Sequence, residues 1–90
     1  MRFVRFITPP MNDPSYAKYI AILYNEQTKR YNQVPFGDRR YQQYHDKIGV
    51  YRGLDHKDPE RRRLYRLRHK NEGDDENKYS AGWFAWHFLW

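Results

Sequence analysis

Five arginines and a lysine crowd one short stretch, Arg61, Arg62, Arg63, Arg66, Arg68 and Lys70, with Tyr65 among them. Guanidinium forks pair with phosphate oxygens and aromatic rings stack on bases or sugars, so these residue types can clamp nucleic acid. The same fork pairs with carboxylates and stacks on aromatic side chains across protein interfaces. No recognised DNA- or RNA-binding motif frames the run, and the residue types leave both partners open.

A second set, His45, Asp46, Asp55, His56, Asp58 and His69, holds groups that elsewhere bind metals or drive hydrolysis. Their spacing matches no zinc or metal-nuclease pattern, and neither a glycine-rich phosphate cradle nor a serine nucleophile frame accompanies them. They read as ordinary polar residues, with His56 fixing a turn by hydrogen bonding; no enzyme activity, metal or cofactor is expected. A third set, Trp83, Trp86 and Trp90, falls on one side of a helical projection with His87 beside it. Tryptophan, tyrosine and arginine dominate interface hot spots, so this stripe is expected to close the core on one side and dock on a partner with another. The partner-binding candidates are therefore Arg61, Arg62, Tyr65, Arg66, Trp83, Trp86 and Trp90.

Two helices must carry these groups. Asp58 is an N-cap, Pro59 suits the first helical position and Glu60 complements the dipole, which predicts a helix over 59–70. On it Leu64 and Leu67 form an apolar strip expected to pack, leaving Arg62, Arg66 and His69 as a cationic far face. Asn71, Glu72 and Gly73 offer a stop, and the acidic loop Gly73 to Asn77 is expected to neutralise part of the arginine charge. Ser80 caps a second helix, predicted to reach Trp90, that is apolar on nearly all sides. A chain of 90 residues buries only about two-thirds of its unfolded surface, so some of this helix needs another molecule to cover it.

Upstream, Lys18 to Tyr24 and Arg30 to Phe36 read as a β-hairpin across a polar turn, with a helical reading of 16–30 as the competitor. Arg2 to Ile7 is strand-like but is set apart by Pro9 and Pro10, so residues 1–17 are expected to be an N-terminal arm and 18–90 a single domain. Arg39 to Asp46 is a polar aromatic link that fits a helical turn or a third short strand, and Gly49 and Gly53 mark breaks around Val50 and Tyr51. The fold class expected is α+β: a small β-hairpin, or short antiparallel sheet, packed with two C-terminal helices. Three Trp, nine Tyr and five Phe argue for a folded chain despite a net charge of +6, and that charge favours an anionic partner. The chain has no cysteine, which excludes disulfides and thiolate metal sites. Met1 to Ile7 lacks the apolar core of a secretory signal, and the run from Ala81 to Trp90 is half the roughly 20 residues of a membrane span. Neither secretion nor a membrane span is expected.

The blocks His56-Lys57-Asp58-Pro59-Glu60-Arg61-Arg62, Tyr65, Arg68-His69, Ser80-Ala81-Gly82-Trp83 and Leu89-Trp90 carry a resemblance, together with the Lys18-Tyr19 strand, Phe36-Gly37 and a Tyr41/Tyr44 link. The chain resembles a family of small basic proteins, uncharacterised in function, of large nucleocytoplasmic double-stranded DNA viruses of algae and amoebae. The resemblance covers residues 18–90. It leaves out Met1 to Tyr16, shows a longer link from Asp38 to Gly53, and implies further residues after Trp90. Such viruses build icosahedral shells from double jelly-roll capsomers held by small minor capsid proteins. The resemblance therefore implies a structural virion protein, made in the host cytoplasm, whose partners are other capsid proteins and above all the major capsid protein. It carries over no catalytic residue. The alternative expectation is a basic nucleic-acid-binding protein associated with the packaged genome.

Overall fold

The computed structural model describes every residue, Met1–Trp90. Three strands, β1 (Arg2–Ile7), β2 (Tyr19–Asn25) and β3 (Arg30–Phe36), precede two helices, α1 (Pro59–Arg68) and α2 (Ala81–Phe88). Short 3₁₀ turns at Arg52–Leu54 and Asp75–Asn77 punctuate the connections. The fold is α+β, an antiparallel sheet with two C-terminal helices.

The strongest β signal, β2, lies at the centre. Its alternation places Tyr19, Ala21 and Leu23 on the core face, each no more than 3% exposed. The hairpin to β3 closes where the Asn25 side chain accepts hydrogen bonds from the amides of Gln27 and Thr28, and Lys29 turns through a positive φ of 60°. Residues 16–30 are thus hairpin and not helix. Pairing runs in step from Tyr19 opposite Phe36 to Asn25 opposite Arg30, with Pro35 opposite Ile20 on the outer strand.

Residues 2–7 correct the expectation of an arm. They form β1, antiparallel to β2, so that the sheet order is β1-β2-β3. A bulge between Phe3 and Arg5 shifts the register and keeps Phe3 and Phe6 on the core face. The reason is packing: the Phe6 ring centroid lies 5.7 Å from that of Phe84 and 4.8 Å from that of Phe88, filling space that the hairpin alone leaves open.

Helix α2 crosses that same face. Phe84, 1% exposed, stacks on Phe36 at 5.3 Å, and Leu89 closes the core just beyond the helix. The Ser80 hydroxyl accepts from the Trp83 amide, as expected of an N-cap, but the helix ends at Phe88 instead of continuing to Trp90. The link from Arg39 to Asp46 forms neither a helix nor a named strand. It is pinned by an isolated bridge between Gln43 and Asp55 and by main-chain bonds from His45 to Leu89 and from Lys47 to Phe88. No helix is long and apolar enough to cross a membrane.

Candidate functional site

Asp58 caps α1 as expected, accepting from the amides of Glu60 and Arg61, while the His56 ring nitrogen accepts from the Asp58 amide and fixes the entry turn. The helix ends at Arg68, two residues short of expectation, with His69 as its C-cap. Its orientation reverses the expected one. Leu64 and Leu67 point outward, 39% and 62% exposed, whereas Arg62, Tyr65 and Arg66 face inward against the end of α2.

This seam is built from stacking and charge. The Tyr65 ring lies parallel to the Trp90 ring, 3° apart in plane and 4.2 Å between centroids, with His69 stacked on Tyr65 at 4.3 Å. Arg62 Nε donates to the main-chain carbonyl of Trp90 at 2.8 Å and Arg66 Nη2 to the same oxygen at 3.3 Å. Both cations converge on one main-chain oxygen two residues beyond the end of α2, and so fasten Trp90 to α1. Their guanidinium groups also lie over aromatic rings, Arg62 over Tyr44 at 4.8 Å and Arg66 over Trp86 at 4.7 Å. Burial, with Arg62 close by, lowers the Arg66 pKa, and burial pushes the Tyr65 hydroxyl up to about 12. Gly73 sits tightly under the seam, where a β-carbon would meet the Trp86 ring at 2.4 Å.

The structure therefore brings Arg62, Tyr65, Arg66, Trp86 and Trp90 together, as contacts within the chain. Trp83 stands apart, packed on Tyr79, Phe84 and His87. Arg61 reaches across the surface to Gln42, with Nη1 donating to Oε1 at 2.9 Å. The ion pair of α1 is local, Glu60 with Arg63, and just past the helix end His69 Nδ1 lies 2.9 Å from a Glu72 carboxylate oxygen. The acidic residues Asp74, Asp75 and Glu76 form no ion pair with the arginines, contrary to expectation, because Asp75–Asn77 coils into its own 3₁₀ turn and Glu76 lies beside Lys78 near Met1 and Asn32.

A second cluster, unforeseen from the sequence, lies beneath the 41–58 link. Lys18, Gln43 and Asp46 are each no more than 2% exposed. Lys18 Nζ donates to the Tyr41 carbonyl at 2.9 Å and to Gln43 Oε1, and Gln43 Nε2 donates to the Tyr51 carbonyl and to Asp55 Oδ1. Asp46 accepts from the amides of Ile48, Gly49 and Tyr51 and from the Tyr19 hydroxyl at 2.5 Å; that hydroxyl in turn accepts from the Val50 amide. Burial depresses the Lys18 pKa to about 8, against the opposing pull of Asp46, Asp38 and Asp55. Burial raises the Asp55 pKa, but hydrogen bonds from Gln43, the Asp46 amide and His45 outweigh it and hold the carboxyl low. Burial and then the bond to Asp46 raise the Tyr19 pKa. Depressed lysines occur at catalytic sites, but this one points into a satisfied network, which makes it a clasp between β2 and the link. His45 bonds Asp55 and His56 bonds the Asp58 amide, and no group of three acidic or histidine side chains converges as metal ligands would. Only the alternation of β2 hinted at the cluster, by placing Tyr19 inside; nothing local marked Gln43.

No protein-family model, curated protein or solved structure matches this chain.

Proposed function

We propose that this chain is a small structural interaction protein, a minor component of an icosahedral virion shell that docks on larger capsid subunits, the major capsid protein foremost. The docking surface is the outward face of α1. The observation that carries the reading is the exposure of Leu64 and Leu67 between Arg61, Arg63 and Arg68 on a helix whose other face is fastened to α2. A helix presenting leucines three residues apart fits an apolar groove, and its flanking arginines fit an acidic rim. The seam already fastens the inward face of that helix, so less ordering entropy is lost on docking than for a free helix. Arg62 and Arg66, the arginines of the expected cationic face, are engaged with Trp90, which weakens the alternative of a phosphate clamp on α1. The virion context rests on the resemblance of residues 18–90 to the viral family.

The test is co-sedimentation with purified double jelly-roll capsid subunits, comparing the wild-type chain with Leu64→Asp/Leu67→Asp. The double variant is expected to keep the wild-type melting temperature and to lose at least tenfold in capsid affinity, since hot-spot truncations cost about 2 kcal/mol or more. Equal binding by both chains, or none by a folded wild-type chain, defeats the reading.

A further inference from the structure

The face of the sheet turned away from α2 has no counterpart in the docking role. Along it run Arg2, Arg5, Ile20, Ile22, Tyr24 and Tyr31, as the pairing of Arg2 with Tyr24, Arg5 with Ile22 and Tyr24 with Tyr31 requires. The isoleucines are only half-buried and Tyr31 is 66% exposed. The two tyrosines sit side by side, ring centroids 5.0 Å apart and planes inclined by 58°, with Tyr31 exposed and Tyr24 half-buried beside it. Arg2 lies over the Tyr24 ring at 5.1 Å. Its ion pair with Glu26, at 3.3 Å, is between side chains 59% and 67% exposed, the kind of contact that competes weakly with an incoming anion. Arg5 takes part in no ion pair.

We propose that this face is a binding platform for single-stranded nucleic acid. Bases stack on Tyr31 and Tyr24 and lie over the aliphatic centre, while Arg2 and Arg5 take the phosphates. An open antiparallel sheet with exposed aromatics and flanking cations is a general solution for unpaired bases, because every base has a π-face and every nucleotide a charge. Charge selects this occupant over a second copy of the chain: two such faces packed together would set arginines against arginines, with the glutamates only at the hairpin end. Shape selects a single strand over a duplex, since the bases of a duplex are stacked on each other and unavailable to the tyrosines. This face is distinct from the outward side of α1, so the proposal stands whether or not the docking role does.

The experiment is fluorescence anisotropy with a labelled single-stranded DNA 12-mer, the RNA of the same sequence and the DNA duplex, over a salt series. The wild-type chain is expected to bind the single strands more tightly than the duplex. Tyr31→Ala, an exposed position, should weaken single-strand binding about tenfold, as the loss of one stacked base implies. Arg5→Gln should flatten the slope of log affinity against log salt by about 0.7, the share of one phosphate contact on a single strand. Leu64→Asp/Leu67→Asp should bind as wild type does. Duplex binding as tight as single-strand binding, or no effect of Tyr31→Ala in a chain that melts normally, overturns the platform. So does retention on a poly-glutamate matrix that an excess of oligonucleotide fails to displace, which would transfer the face to an acidic protein.

Discussion

Lys18 shows how one residue can be costly alone and useful in context. Its ammonium is stripped of water, yet Gln43 and the Tyr41 carbonyl hold it in place and tie the link to β2. Because burial lowers its pKa from 10.5 to about 8, the unfolded chain binds more protons than the folded one between those values. Stability should therefore rise with pH, by about 1–2 kcal/mol between pH 8 and 9.5. Above pH 10 the trend reverses, since Tyr19 and Tyr65 have raised pKa values and the unfolded tyrosines lose protons first. Urea denaturation across this range should show the rise in the wild-type chain and its absence in Lys18→Met. Parallel profiles would mean that Lys18 is as well solvated as an ordinary surface lysine.

At the scale of elements, the helix starts were legible, whereas the stops and the faces were not. Asp58-Pro59 and Ser80 marked the starts of α1 and α2 because a cap acts on amides two or three residues away. The face α1 turns inward depended on what α2 offers it, and Trp86 and Trp90 offer flat rings that Tyr65 and two guanidinium groups match better than leucine does. Hydropathy ranks leucine above arginine for burial and so chose the wrong side. Tyr65→Ala should loosen this seam at a cost of about 2 kcal/mol, by losing a stacked ring that is half-buried. Native-state hydrogen exchange is the fitting measurement: amides of α1 should lose protection while those of β2 and β3 keep theirs. Uniform loss across the chain would show that seam and sheet unfold as one.

For the whole molecule, the hairpin could be read from local alternation, whereas membership of β1 could not, because Pro9 and Pro10 look like a boundary and the contacts of Phe3 and Phe6 are with α2, some 80 positions along in Phe84 and Phe88. The consequence is that residues 1–8 are not dispensable. Removing them bares Phe36, Phe84 and Phe88, and the shortened chain should lose its sigmoidal thermal transition and bind a hydrophobic dye; a truncated chain that still melts cooperatively would restore the arm. The assembled molecule is a slab of 42 × 32 × 20 Å, helices on one side and bare sheet on the other, a shape that can touch two different surfaces at once. A three-stranded sheet also ends in two unpaired rims, the usual seeds of strand-by-strand growth into fibrils. Here one rim is β1, kinked by its bulge and studded with Arg2 and Arg5, and the other is β3, where Pro35 has no N–H to donate. These two blemishes leave neither rim a clean template for a further strand, so the chain should stay monomeric at concentrations where a flat, regular three-stranded sheet would grow by edge pairing.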